Sequence, residues 1–161
     1  MNQYEPRPGD YGVVKTNGWL AFIIRLGTVS RWNHAFVYIG DGKIVEANPK
    51  GVEVSSLRYP SVAWNNHEEL TDEQREAIVS CSLTHVGRGY SFLTIALIIL
   101  RILGMKILAN SKFLLKAAEK DGYICSELVS ECYMNAGVNL LPDKPDYTTV
   151  PGDLAERLIY L

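Results

Sequence analysis

Residues 34–48 read HAFVYIGDGKIVEAN, and this stretch decides the fold. Two runs rich in β-branched and aromatic residues flank Gly-Asp-Gly, which predicts a β-hairpin with a three-residue loop over 40–42. In that register Phe36 lies opposite Glu46. Because side chains alternate between the two faces of a strand, His34 and Glu46 then share a face as diagonal neighbours, about 7–8 Å apart at Cα.

The hairpin places a candidate base beside a carboxylate. A carboxylate that accepts a hydrogen bond from one nitrogen of the His34 ring leaves the other nitrogen available as a base. Glu46 is the expected orienting group, and Asn48 is the reserve because a side-chain amide can fill the same role. A two-residue turn would instead place Glu46 on the opposite face, away from His34.

The rest of the sequence predicts an α+β fold, in which a small antiparallel sheet packs against helices. Thr71 and Gln74 have the spacing of a capping box, and Gly27 and Gly137 are expected to end helices. Strands are predicted for residues 11–15, 34–39, 43–47 and 52–54, and helices for 19–26, 72–86, 92–108, 125–136 and from Pro151 onward.

Composition limits the classes of function. The chain has 161 residues, 47% of them hydrophobic, which suits one domain spanning residues 1–161. With a net charge of −2, the chain is not basic overall, as nucleic-acid-binding proteins usually are, so no nucleic-acid partner is expected. The three cysteines include no Cys-x-x-Cys pair, which argues against a disulfide framework or a zinc ribbon. No metal or organic cofactor is expected.

The N-terminal segment MNQYEPRPGDYG lacks the charged and apolar regions of a secretory signal. We therefore expect a protein that is cytoplasmic as synthesised. Export by another route, carriage by a phage and peripheral association with a membrane are alternatives that the sequence leaves open.

Cys125 is the candidate nucleophile among the three cysteines. It lies in the first turn of a predicted helix, where the positive end of the helix dipole favours a thiolate. Cys81 and Cys132 fall in the middle of predicted helices and are expected to be core residues. Cys81 and His85 share a helix face, but mid-helix amides are already bonded and supply no oxyanion hole. His67 falls in a polar loop and is expected to be solvated.

Several blocks of the sequence together resemble one family. The most specific are the strand that begins at His34, Glu46 on the next strand, and YICSELV at residues 123–129. They resemble the circularly permuted NlpC/P60 group of papain-like cysteine hydrolases, an order of motifs shared by the lecithin:retinol acyltransferase family. Ser91 departs from the pattern, since relatives tend to have an acidic residue there. Weaker matches to the group's flanking motifs are PGD at 8–10, GRGY at 87–90 and VPGDL at 150–154.

The resemblance covers nearly the whole chain and implies a permuted papain-like fold. It also implies a catalytic triad of Cys125, His34 and Glu46, the three residues that spacing selects. The Cys125 thiolate would attack a carbonyl, His34 would carry the proton, and Glu46 would fix the imidazole. The Cys125 backbone N–H is an expected oxyanion donor, and the Tyr11 hydroxyl is a candidate for the second.

Two substrate classes remain open. The first expectation, from the commonest role in this superfamily, is a cysteine peptidase or amidase that cuts peptidoglycan peptides. The alternative is a lipid-directed thiol hydrolase or acyltransferase, with a peripheral membrane contact through Phe92 to Lys120. Residues 92–108 are apolar, but their length and the charges of Arg101 and Lys106 argue against a spanning helix. An inactive binding module of the same fold is a second alternative.

Overall fold

The computed structural model describes residues 4–28, 30–65, 69–105, 111–112, 114, 116–117, 122–142 and 149–158. Within these residues the strands form one antiparallel sheet, in the order β4-β3-β2-β1-β5. This confirms the predicted α+β class with a small antiparallel sheet. The strands are β1 (Tyr11–Val14), β2 (His34–Gly40), β3 (Lys43–Asn48), β4 (Gly51–Ser56) and β5 (Ala63–Trp64). The helices are α1 (Trp19–Thr28), α2 (Asp72–Thr84), α3 (Phe92–Ile102), α4 (Cys125–Asn135) and α5 (Pro151–Arg157).

The β2–β3 hairpin keeps Phe36 opposite Glu46, as predicted, but its loop has two residues and not three. Gly40 pairs with Lys43, and the loop Asp41-Gly42 has φ of 51° and 67°, which a two-residue type I′ turn requires. A β-bulge in β2, just before this turn, adds the one residue that restores the register. The predicted loop was therefore wrong, whereas the predicted face of Glu46 was right.

Helix α3 is shorter than the apolar stretch from which it was predicted. It begins after Ser91, whose hydroxyl accepts a hydrogen bond from the Thr94 N–H at 3.1 Å. It ends at Ile102 and not at Leu108, because Gly104 adopts φ of 83° and forms a Schellman motif. The remainder of the predicted helix, beyond residue 105, lies outside the described residues. No helix that the structure describes has both the length and the apolar character needed to cross a bilayer.

The other helix ends follow local signals, with one exception. α2 begins at the predicted capping box, in which Thr71 Oγ1 accepts from the Gln74 N–H at 3.2 Å and Gln74 Oε1 accepts from the Thr71 N–H at 3.0 Å. α4 ends in a Schellman motif with Gly137 at φ of 79°, as predicted. α1 continues through Gly27 to Thr28, whose hydroxyl donates to a carbonyl one turn back at 2.8 Å, so the predicted stop at Gly27 was wrong.

The core lies between the sheet and the helices α2 and α4. These helices pack against each other, and α4 also rests on β2 and β3. Alternate residues of the same strands form a second, smaller apolar cluster on the other face of the sheet. The main cluster includes Val13, Val37, Val45, Ile78, Leu128, Val129 and Tyr133.

The segment before β1 is fixed by a buried ion pair. Asp10 is fully buried and accepts hydrogen bonds from Arg75 of α2 at 2.9 Å and from the Tyr4 hydroxyl at 2.7 Å. The Tyr133 hydroxyl of α4 donates to the Gly9 carbonyl at 2.7 Å. The PGD block therefore joins the start of the chain to both core helices.

Candidate active site

His34 and Glu46 meet at the end of the hairpin. His34 Nε2 lies 2.7 Å from Glu46 Oε2. Both residues are buried, with His34 at 9% exposure and Glu46 fully enclosed. The imidazole also packs against the rings of Phe36 and Tyr59, whose centroids lie 6.5 Å and 5.8 Å away. The ring orientation is therefore fixed, and Nδ1 is the nitrogen that remains for a further partner.

The carboxylate of Glu46 is held on both oxygens. Oε2 accepts from the Tyr59 hydroxyl at 2.6 Å in addition to facing the imidazole. Oε1 accepts from the Ser55 hydroxyl at 2.5 Å and from the Arg58 guanidinium at 3.2 Å. Ser55 is the residue before the last of β4, and the other two donors follow it in the chain, so one segment encloses the carboxylate. A buried carboxylate with this many donors is a stable anion.

Hydrogen bonds shift both pKa values in the direction that favours charge. Burial alone would raise the pKa of Glu46, but hydrogen bonds with His34, Ser55 and Tyr59 outweigh it and lower that pKa to about 2. Burial alone would lower the pKa of His34, but hydrogen bonds with Cys125 and Glu46 raise it to about 9. The ring is therefore an imidazolium at neutral pH, next to a carboxylate anion.

Cys125 is the first residue of α4, with Ile124 as its N-cap. The first turn is fixed because the Ile124 N–H donates to the Glu127 carboxylate at 3.2 Å. The Cys125 side chain hydrogen-bonds to the imidazole, and because Nε2 faces Glu46, the nitrogen left for sulfur is Nδ1. The Cys125 N–H is one of the amides that the first turn of a helix leaves without an intrahelical acceptor. The structure thus brings the three predicted site residues, Cys125, His34 and Glu46, into one chain of contacts.

The site lies between a polar cleft and an apolar pocket. His34 and Glu46 line an open cleft of about 390 Å³, together with Asn17, Arg58 and Tyr90. Cys125, which is 3% exposed, lines a pocket of only about 20 Å³ between α1, α3 and α4. The two sides of a bond attacked by the Cys125 sulfur would therefore lie in different surroundings, one polar and one apolar. The apolar pocket is lined by Ile24, Thr28, Ile95, Ile98, Ile99, Ile124, Val150 and Pro151, in addition to Cys125 and Ser126.

Two of the predicted alternatives lie elsewhere. The Asn48 amide donates to the Glu53 carboxylate at 2.6 Å, so Glu46 and not Asn48 is the group bonded to the imidazole. The Tyr11 hydroxyl donates to the Leu154 carbonyl at 3.1 Å, and its ring is fully buried in the core. The prediction of Tyr11 as an oxyanion donor was therefore wrong, because its proton is used to hold α5 against the sheet.

Four residues around the site were missed in the sequence: Ser55, Arg58, Tyr59 and Tyr90. Alternation along β4 places Ser55 on the same face as Glu46, and this is the one sequence signal that was available. Arg58 and Tyr59 lie in a segment without periodicity. Tyr90 was noticed only as part of a flanking motif, yet it lines the cleft and is 8% exposed. Burial and the nearby Cys125 raise the pKa of Tyr90, so its hydroxyl stays protonated.

A second group of polar residues lies between α2 and α4. Cys81 Sγ is 3.7 Å from His85 Nε2, and Cys132 lies beside both. All three are buried, so the prediction that Cys81 and Cys132 are core residues is confirmed, although their contact with each other was not foreseen. Cys81 lies well inside α2, without the unbonded amides that a nucleophile at a helix start would have. His67, predicted to be solvated, lies outside the described residues.

Comparison with known proteins adds no family to this geometry. A scan against protein-family models and a search of curated proteins found no match for the chain. The resemblance to permuted NlpC/P60 hydrolases therefore stays a prediction from the sequence motifs.

Proposed function

We propose that the protein is a thiol hydrolase that acts through a thioacyl-enzyme on Cys125. One observation carries this proposal: Cys125 hydrogen-bonds to the His34 ring, whose Nε2 lies 2.7 Å from the buried carboxylate of Glu46. A nucleophile, a base and an orienting anion in this order recur on unrelated folds. The same proposal holds that the α+β fold is a permuted papain-like domain of the NlpC/P60 type.

In the first half-reaction the Cys125 sulfur attacks the substrate carbonyl carbon. A C–S bond forms, and the carbonyl π electrons move to oxygen. The Cys125 N–H stabilises this oxyanion, and one such donor is worth roughly 3 kcal/mol. As the intermediate collapses, the bond to the leaving group breaks and the His34 imidazolium gives its Nδ1 proton to the departing amine or alcohol. Glu46 keeps the ring oriented throughout.

In the second half-reaction water attacks the thioester on Cys125. Neutral His34 accepts a proton from this water, the acid product leaves, and the sulfur is released as a thiolate. The same steps with another nucleophile in place of water would give acyl transfer. Tyr90 is the proposed second oxyanion donor in place of Tyr11, because its protonated hydroxyl lies in the cleft near Cys125.

The first candidate substrate is a peptide amide, as in peptidoglycan peptides. The cleft beside His34 supports it, because its volume of about 390 Å³ falls in the range of small-molecule sites. Its lining includes Asn17 and Arg58, whose side chains offer donors and acceptors to peptide groups. The leaving amine would occupy this side, because His34 must deliver a proton to it.

The second candidate is a lipid-directed hydrolase or acyltransferase, and the pocket at Cys125 favours it. The pocket wall is almost wholly apolar, as the surroundings of an acyl group would be. α1 and α3, which contact each other and form this wall, expose Phe22 at 59%, Leu26 at 69% and Phe92 at 47%. A pocket of about 20 Å³ has room for little more than one water-sized group, so a long chain would require α1 and α3 to separate. Peripheral membrane contact through Phe92 to Lys120 belongs with this candidate.

Two substrate panels test the proposal: peptidoglycan stem peptides, and acyl amides and esters in mixed micelles. Wild type and Cys125→Ala are compared, with products and the thioacyl-enzyme identified by mass spectrometry. Turnover of the peptides by wild type alone supports the first candidate, and turnover of the lipids by wild type alone supports the second. Turnover that survives in Cys125→Ala contradicts the mechanism. Lack of turnover together with an unreactive Cys125 would favour an inactive binding module.

A further inference from the structure

We propose that Cys81, His85, Glu131 and Cys132 form a zinc site that joins α2 to α4. The four residues are separate from the catalytic group, and their role is independent of whether Cys125 is a nucleophile. Cys81 lies on α2 and His85, four residues later, is the C-cap of that helix, while Glu131 and Cys132 are consecutive on α4. Residues four apart share a helix face, and these two faces pack against each other.

Two of the distances in this group match those between ligands of one tetrahedral ion. The sulfur atoms of Cys81 and Cys132 and one ring nitrogen of His85 all lie within 4.8 Å of one another. Cys81 Sγ is 3.7 Å from His85 Nε2, and Glu131 Oε1 is 3.5 Å from the same nitrogen. With Zn–S near 2.3 Å and Zn–N or Zn–O near 2.0–2.1 Å, tetrahedral ligands lie about 3.6 Å and about 3.4 Å apart. Both measured distances are within about 0.2 Å of these values.

The chemistry of the four side chains also favours zinc. Thiolate and imidazole are the ligands that Zn²⁺ prefers, and a carboxylate completes many of its tetrahedral sites. Magnesium and calcium select sites made of oxygen ligands, and in this group only Glu131 offers oxygen.

The group is poorly satisfied by protein contacts alone. Cys81, His85 and Cys132 are 8%, 6% and 0% exposed. The contact of 3.5 Å between His85 and Glu131 is longer than a charge-assisted hydrogen bond. Apolar side chains would fill a helix interface without this desolvation penalty, so a buried polar group of this composition points to a bound cation.

The residues around the proposed site form a route for the ion from solvent and hold Glu131 and His85 in place. An open cleft lined by Cys81, His85 and Glu131 leads to the group from solvent. Glu131 hydrogen-bonds with the Tyr123 hydroxyl, which also accepts from Arg88 at 3.0 Å. The Tyr123 ring packs against the His85 ring, with 4.6 Å between their centroids. Such outer contacts fix the orientation of metal ligands.

Metal binding by the whole chain tests this site. Protein dialysed against a chelator is titrated with Co²⁺, whose thiolate charge-transfer band and intense visible bands report tetrahedral coordination by sulfur, and Zn²⁺ is then added in competition. We expect one ion per chain, and an affinity at least about a hundredfold lower in Cys81→Ser and Cys132→Ser. Cys125→Ser is the matched control, because it removes the third cysteine of the chain and should leave the Co²⁺ affinity unchanged.

Substitution of the buried cysteines can also disturb packing, so the half-exposed Glu131 provides an independent variant. Glu131→Gln should lower the affinity at least about tenfold while the far-UV circular dichroism of the metal-free protein stays as in wild type. Several results would each overturn the site. They are a wild-type protein without the charge-transfer band, a band lost in Cys125→Ser, an undiminished affinity in Glu131→Gln, and a Cys81–Cys132 disulfide in freshly purified protein.

Discussion

Replacement of Glu46 by glutamine should lower the pKa of His34. The Glu46 carboxylate lies 2.7 Å from the ring, and the pKa of His34 is raised from 6.5 to about 9. At 1.36 kcal/mol per unit, this shift is a preference of about 3 kcal/mol for the imidazolium. Hydrogen bonds with both Cys125 and Glu46 produce it against the effect of burial. Loss of the carboxylate charge should therefore lower the pKa by at least about one unit, or about 1.4 kcal/mol.

The assay is a pH titration of the histidine ring carbons by NMR, which is tractable because the chain has three histidines. His34→Ala identifies the resonance of His34. Glu53→Gln is the matched control, because Glu53 lies directly opposite Glu46 on β4 but bonds to Asn48. The reasoning is refuted if Glu46→Gln leaves the pKa of His34 in place, or if Glu53→Gln lowers it by the same amount.

Three further predictions concern stability and the membrane. The pKa of Glu46 is lowered from 4.5 to about 2, so its ionised form contributes about 3 kcal/mol to the free energy of unfolding. This contribution is present above pH 4.5 and is lost as pH falls through 2. Urea unfolding should show this loss in wild type and not in Glu46→Gln. Thr71→Ala removes the acceptor that caps α2 and should lower the free energy of unfolding by about 1 kcal/mol, with Thr71→Ser close to wild type. If the protein acts on lipids, wild type should co-sediment with anionic liposomes and Ile98→Glu should not. Failure of wild type to bind the liposomes would contradict the lipid-directed function.

The core of the site was predictable because the rules that place it are local. Strand alternation puts His34 and Glu46 on one face, and a helix start puts Cys125 among unbonded amides. The loop between the strands was predicted wrongly, yet the register held. The bulge before Asp41-Gly42 supplied the residue that the shorter loop lacks, so the face of Glu46 was preserved.

The rest depended on contacts between residues far apart in the chain. Arg58 and Tyr59 reach Glu46 because the chain folds back after β4, and no periodic pattern marks that path. β5 (Ala63–Trp64) pairs with β1 over two residues, which is too short to alternate visibly. Cys132 was recognised as a core residue, but its neighbours Cys81 and His85 belong to another helix and its C-cap. A local pattern does not say which helices pack together.

The most direct test of the catalytic claim is the reactivity of the Cys125 thiol. Iodoacetamide is applied at pH 6 to wild type and His34→Ala, and the modified cysteine is located by peptide mass spectrometry. If His34 is an imidazolium hydrogen-bonded to Cys125, Cys125 should be alkylated in wild type. The rate of this alkylation should be at least about tenfold lower in His34→Ala. The rates at Cys81 and Cys132 should not change. A Cys125 that stays unmodified, or that reacts at the same rate in both proteins, would contradict the proposed pair.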